Sequence, residues 1–170
     1  MSAAETMAAP TRSRTITWQD PVPVAAAGAE MSGLEYMNAV ASGELPPPPI
    51  GAVMRMRPIE VEPGRAVFAG EPGEEHYNPI GVVHGGYAAT LLDSALGCAV
   101  HTTLEAGAGY TTVALEVKMV RPITRDIARV EAEGEVLYRG RRQATAQGRL
   151  VDPANGKLLA HATATCLIIG

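Results

Sequence analysis

The 170-residue chain is short of cysteine, of long apolar runs and of positive charge, and each shortage excludes something. Its two cysteines, Cys98 and Cys166, form no Cys-x-x-Cys pair. Of the four histidines only His101 lies near a cysteine at finger spacing, which argues against a structural zinc site. Two such thiols are expected to stay reduced, inside the cell. No stretch reaches the ~18 apolar residues that a membrane helix needs, so no membrane association is expected. The first 30 residues lack the apolar core of a signal peptide; the nearest candidate, residues 22–29, is short and carries Pro23. The chain reads as soluble and cytoplasmic. Lys plus Arg is 14 against 18 for Asp plus Glu, a net charge of −4. Nucleic-acid binding usually leaves a basic footprint and is not expected here.

What is present is the profile of one globular domain: 46% apolar and 19% charged residues, enough for a core without disulfides or metals. Twelve of the 14 basic residues are arginine, whose planar guanidinium suits carboxylate and phosphate groups. Residues 1–29, rich in Ala, Thr and Pro and holding the single tryptophan, Trp18, read as an irregular arm or flexible tail. Residues 30–170 read as the domain. An amphipathic helix is predicted over 31–43, with Leu34, Met37, Val40 and Ala41 at helical spacing and Ser32 and Glu35 as a capping box. The Pro46–Pro49 run predicts a stiff extended connection. Strands are predicted over 52–62 and 65–70 around a Glu62-Pro63-Gly64 turn.

From Gly85 to Leu104 the chain is apolar on nearly every side and too long for a strand, which predicts a helix buried all round. The remainder alternates like strands: 112–119, 130–136, 143–151 and 157–169. Turns are predicted at Arg139-Gly140-Arg141 and at Asp152-Pro153-Ala154-Asn155-Gly156. The order predicts an α+β plan in which an antiparallel sheet wraps one long central helix.

The four aspartates point to the chemistry. Asp20 lies in the arm, and Asp126 and Asp152 lie in apparent turns. Asp93 lies in the apolar helix among Ala89, Leu92, Leu96 and Gly97, where a carboxylate needs a partner or a polar cleft. Its plain reading is a hydrogen bond to a neighbour such as Ser94. At the start of the same helix stands His84-Gly85-Gly86. A helix N-terminus presents free N–H groups and the positive end of its dipole, and two glycines let a substrate approach that backbone. This is a donor site for a developing oxyanion; its plain reading is a tight turn. Gly85 and Asp93 are eight residues apart, roughly 12 Å along a helix. That exceeds the ~3 Å between reacting atoms. If both act on one centre, they come from two chains with antiparallel helices.

The segment Asn78-x-x-Gly81-x-x-His84-Gly85-Gly86-x-x-x-x-Leu91-x-Asp93 resembles the signature of hotdog-fold thioesterases of the phenylacetic-acid-degradation (PaaI-like) type. Thr111-Thr112-Val113, Val120-Arg121-Pro122 and Gly156-Lys157-Leu158 are similar to that family too, and the likeness runs from about Gly33 onward. The resemblance implies a helix held in a curled sheet, paired as homodimers and often as dimers of dimers, that hydrolyses acyl-CoA thioesters. By motif position Gly85 N–H polarises the thioester carbonyl with help from Asn78. Asp93 of the partner chain activates water or attacks directly, Thr112 helps hold that water, and His84 shapes the turn. No metal and no redox cofactor are implied; coenzyme A enters only as part of the substrate.

Gly86 joins the substrate-binding candidates through the backbone approach it permits. Arg139, Arg141 and Arg142 join them as partners for the CoA phosphates, though a solvated turn explains them as well. Tyr87, Leu91 and Met119 read as acyl-pocket or core residues, His101 and His161 as ordinary histidines, and Cys98 as a small core residue away from the helix start. Gly-x-Ser-x-Gly is absent, so there is no nucleophile elbow. A non-catalytic acyl-CoA binding module on the same fold is the alternative. A hydratase or dehydratase is disfavoured, because the residue five after Asp93 is Cys98 and not histidine.

Overall fold

In the computed structural model, which describes residues 10–170, three helices precede the sheet. The start of the predicted arm, residues 1–9, lies outside the described residues. Helix α1 (Pro21–Ala29) forms where an irregular arm was expected. Asp20 caps it, accepting the Val22 N–H at 3.0 Å, and Pro21 stands in the first turn, where no N–H is missed. Helix α2 (Gly33–Ser42) has the predicted Ser32–Glu35 capping box. Helix α3 (Pro49–Met54) corrects the proline run: Pro49, with its fixed φ, starts a helical turn and does not prolong an extended connection. The first strand is shortened accordingly, to β1 (Met56–Glu62).

Strand β2 (Arg65–Gly70) completes a hairpin with β1, with Glu62 opposite Arg65. Then come helix α4 (Gly85–His101), β3 (Gly109–Met119), β4 (Val130–Arg139), β5 (Gln143–Asp152) and β6 (Lys157–Ile169). All pairings are antiparallel, in the order β1-β2-β4-β5-β6-β3. At the β5–β6 turn Asp152 accepts from the Ala154 N–H at 3.0 Å and the Asn155 amide at 2.7 Å, so its carboxylate is structural.

The sheet curls around α4. A core with one phenylalanine must fill by close approach, and its inner face is mostly alanine: Ala132, Ala144, Ala146, Ala160, Ala162 and Ala164 lie against Leu91, Leu92 and Leu96. At Gly134 the contact is backbone to backbone; a Cβ there would stand 2.4 Å from the Ala95 carbonyl oxygen.

Helix α4 is not buried all round. Ala89, Thr90, Asp93, Ser94, Cys98 and His101, recurring at helical spacing, are only half-buried, and Gly86 is exposed. The chain's own sheet leaves this stripe of α4 partly open. Beside it runs β3, an 11-residue strand at the end of the sheet order. A bulge at Val113 breaks its pairing with β6 between Thr112 and Ala114. The simple alternation expected for this strand fails there, and Val113 and Met119 are 59% and 52% exposed. Among the described residues no helix is long and apolar enough to cross a membrane.

Candidate active site

The approach to α4 is a tight loop held by its own backbone. Tyr77 bridges Val83, the Asn78 N–H donates to the Val82 carbonyl at 2.8 Å, and Gly81 takes the left-handed conformation (φ 80°) that glycine tolerates. Asn78 Oδ1 accepts from the Ile80 and Val82 N–H groups at 3.0 and 3.3 Å. Its side-chain oxygen is committed to the loop, and Nδ2 is the end that can serve a ligand.

His84 is the N-cap of α4. Its Nδ1 accepts the Gly86 N–H at 2.8 Å, and its own N–H donates to the His76 carbonyl at 2.8 Å. A ring accepting at Nδ1 carries its hydrogen on Nε2. The Gly86 N–H is thus occupied, and a Cβ on Gly86 would stand 2.9 Å from His84 Nδ1. Among the described residues the Gly85 N–H has no partner in the chain. Gly85 lines a cleft of about 340 Å³ together with His84, Ala88, Met119, Arg121 and Ile123, among others. The structure thus brings His84 and Gly85 to one cleft. It adds an arginine that sequence reasoning quoted only as part of a motif: Arg121, whose guanidinium donates to the Leu158 carbonyl at 2.8 Å. Met119 lines this cleft, whereas Tyr87 and Leu91 are core.

Asp93 lies two turns along α4, on the open stripe. The residue is half-buried, yet its Oδ1 is fully buried and has no hydrogen-bond partner among the described residues. Ser94 does not provide one, since its hydroxyl turns to the Met56 sulfur at 3.9 Å. Asp93 does not line the Gly85 cleft. The next turn of α4 meets the start of β3: a Cβ on Gly97 would stand 2.6 Å from the Tyr110 ring, and Cys98 Sγ lies 3.9 Å from Tyr110 Oη. Burial pushes the Cys98 thiol up to about 12, and the Asp93 charge adds to that rise. Burial likewise raises Tyr110 well above the phenol range and raises Cys166, with Asp93 contributing to both. Thr112 sits opposite Cys166, with Oγ1 4.0 Å from its sulfur. Thr112 is thus beside the Cys166 thiol, which the Asp93 charge also reaches.

The arginines of the β4–β5 turn lie elsewhere. The Arg142 carbonyl accepts the Ile168 N–H, at the end of the sheet opposite Leu150 and Leu159, which line the Gly85 cleft. Eight residues of β5 separate Arg142 from Leu150, roughly 26 Å. Within one chain Arg139, Arg141 and Arg142 do not meet Gly85.

A second cavity was not legible in the sequence. About 280 Å³ in volume, it lies between α4 and the helices before the sheet, with Tyr36, Val40, Ile50, Ser94, Cys98 and Tyr110 in its wall. Burial lowers His101 at its rim below the ordinary imidazole range, which favours the neutral ring. Among the described residues no group of three or more His, Cys, Asp or Glu side chains is placed to hold a metal ion.

Residues 80–158 match the thioesterase superfamily model. Human acyl-coenzyme A thioesterase 13 is 32% identical over 105 residues, which are 61% of this chain and 72% of that protein. A Ralstonia eutropha protein described as a thioesterase related to phenylacetic acid degradation superposes with a TM-score of 0.70 at 29% identity, over 78% of this chain and 98% of its own. A variant of the phenylacetic acid degradation protein PaaI from Thermus thermophilus gives 0.63 at 31% identity, over 71% and 98%. The curled sheet around one long helix is the fold these proteins share with this one. An unpartnered N–H at the start of that helix and an unpartnered carboxylate two turns on are groups that thioester hydrolysis can use. This chain belongs to the thioesterase superfamily and is a hotdog-fold thioester hydrolase of the PaaI-like type.

Proposed function

We propose that the protein hydrolyses acyl-CoA thioesters of short-chain, medium-chain or aromatic acids at composite sites in a homodimer, each site pairing Gly85 of one protomer with Asp93 of the other. The observation that carries this is the Asp93 carboxylate, buried at Oδ1 without a partner on a stripe of α4 that its own sheet leaves partly open. A buried acceptor left unsatisfied costs about 1–3 kcal/mol, which a site that uses it can explain.

The edge strand supports the pairing. An 11-residue edge strand offers a row of free backbone groups to another copy. Gly85 lies beside the end of β3, since a Cβ on it would stand 3.3 Å from Met119 Cε. Asp93 lies near the strand's start, around Tyr110 and Thr112. Two β3 strands paired antiparallel about a two-fold axis set the end of one beside the start of the other. The Gly85 of each protomer then faces the Asp93 of its partner.

In this arrangement the Gly85 N–H, at the positive end of α4, donates to the thioester carbonyl oxygen, and Asn78 Nδ2 helps. Asp93 takes a proton from a water held with Thr112, and that water attacks the carbonyl carbon. The tetrahedral intermediate collapses by breaking the C–S bond; the sulfur leaves as the CoA thiolate and regains a proton, and the carbonyl carbon becomes the free acid. Direct attack by the Asp93 carboxylate, followed by hydrolysis of the resulting anhydride, gives the same products. The chemistry needs only protein groups and water. Arg121 in the cleft, or the partner's turn at 139–142, offers guanidinium groups to the CoA phosphates. Pairing of dimers into tetramers and a reducing, cytoplasmic setting, which suits the free thiols of Cys98 and Cys166, complete the reading.

The test is thiol release from a panel of acyl-CoAs by wild type and Asp93→Asn. Loss of a general base costs about 10²–10⁴-fold, so turnover falls by that factor while fold and dimer persist. Equal turnover by both proteins would refute the role of Asp93.

A further inference from the structure

The second cavity lies on the Asp93 side of α4. Ser94, the residue after Asp93, and Cys98, just over one turn on, form its inner wall. Tyr110, which the Asp93 charge reaches, closes one side. The outer wall comes from Tyr36 and Val40 of α2 and from Pro47, Pro48 and Ile50, and the exposed residues among them mark its mouth. That outer wall lies outside residues 80–158, which match the superfamily model.

The lining is chemically selective. It contains no Lys, Arg, Asp or Glu among the described residues, and its imidazole, His101, is biased by burial towards the neutral form. Two of the three hydroxyl residues in the lining have only soft partners: Tyr110 Oη meets the Cys98 sulfur at 3.9 Å, and Ser94 Oγ meets the Met56 sulfur at 3.9 Å. A carboxylate entering such a space would lose its hydration without gaining a cation. An alkyl chain or an aromatic ring would lose only unfavourable contact with water.

We infer that this cavity houses the acyl group of the substrate, and that α2, α3 and the link between them set its permitted length and require it to be apolar and uncharged. The inference rests on the acyl-CoA reading above. With the thioester carbonyl held by one protomer's Gly85 next to the partner's Asp93, the carbons beyond it continue along α4 of the Asp93-bearing protomer towards its Ser94 and Cys98. Acyl groups ending in a second carboxylate are excluded.

The experiment uses S-alkyl-CoA thioethers, which cannot be hydrolysed, titrated calorimetrically into wild type, Cys98→Phe and Ile50→Trp. Cys98→Phe fills the interior. Ile50→Trp fills the mouth from an exposed position on α3, so it remains informative if the first variant fails to fold. Wild type is expected to bind the hexyl thioether at least about tenfold more tightly than the methyl one, since buried methylenes each add affinity. It is expected to gain nothing from a terminal carboxylate. Both variants are expected to lose most of the hexyl advantage and to bind the methyl compound as wild type does. A hexyl advantage that survives both substitutions, or that wild type never shows, overturns the inference. Thiol release from the matching acyl-CoAs is read separately. Length-dependent binding that the variants abolish, with no thiol released by wild type, would refute the hydrolytic reading and leave the cavity assignment standing.

Discussion

The start of α4 and its middle are built to opposite standards. At the start, most backbone polar groups are matched within the chain. His84 gives its N–H to His76 and takes the N–H of Gly86, Asn78 closes the loop, and among the described residues two groups are left over, the Gly85 N–H and the buried Tyr87 hydroxyl. Even the loop before it is tethered. Arg14 reaches back to Glu75 at 2.6 Å and also bonds α3 carbonyls, and Arg12 pairs with Glu74. In the middle, Asp93 has a buried oxygen with no partner on a stripe half-open to the outside. A folded chain satisfies its polar groups unless something else is to satisfy them. On the proposed composite site, the contrast means that the start of α4 supplies its half from a single chain, while Asp93 waits for a second chain and a substrate.

The substitutions that probe this contrast are expected to differ in size. Asp93→Asn stands first, with the loss of turnover given above. Gly85→Pro comes next. Proline is accepted at the first position of a helix, and the extended His84 (φ −61°, ψ 138°) suits a residue before proline. The substitution removes little besides the N–H. Turnover is expected to fall about 10²–10³-fold, as for loss of one oxyanion donor, with the thermal midpoint nearly unchanged. A small effect would show that the carbonyl is polarised elsewhere. Val113→Lys, on the exposed bulge of β3, sets like charges on the edge strands. Sedimentation is expected to shift towards monomer, with activity falling in step; an active monomer would break the comparison outright. His84→Ala removes the cap of α4 and is expected to cost about 1 kcal/mol of unfolding free energy, with a modest fall in turnover. Arg14→Ala is the smallest. Its ion pair is partly exposed and worth about 1 kcal/mol or less, so stability and dimerisation should hardly move while turnover slips a few-fold.

Local patterns carried much of this into the sequence. The long apolar stretch announced α4, Asp152-Pro153-Ala154-Asn155-Gly156 announced its hairpin, and Ser32 with Glu35 announced α2. Each signal depends on a few neighbouring residues. The failures have the opposite character. Pro46–Pro49 suggested extension, but Pro49 begins α3, because a fixed φ serves a helix start equally well. Asp20 and Pro21 began a helix in a stretch that looked irregular. The bulge at Val113 flips the alternation of β3, and nothing in the residue types marks it. Helix α4 read as buried all round because alanine, glycine and serine fit both a core and a face awaiting cover. Asp93 stood out in the sequence, while the cavity beside it did not, since its walls come from segments 40 to 70 residues apart that meet only once the sheet has curled. The placing of Arg121 in the cleft also needed the fold: the Val120-Arg121-Pro122 signal was visible, but not that the strand end meets the start of α4.

Two turns of one helix separate Gly85 from Asp93, and under the proposed composite site in a homodimer the consequence belongs to genetics as much as to chemistry. A gene copy carrying Gly85→Pro and another carrying Asp93→Asn each encode a crippled enzyme. In a mixed pair, both lesions fall on the same site. The other site takes its glycine from one parent and its aspartate from the other, and is whole. Two null alleles of this kind would complement each other in one cell, whereas two alleles damaged at the same position would not.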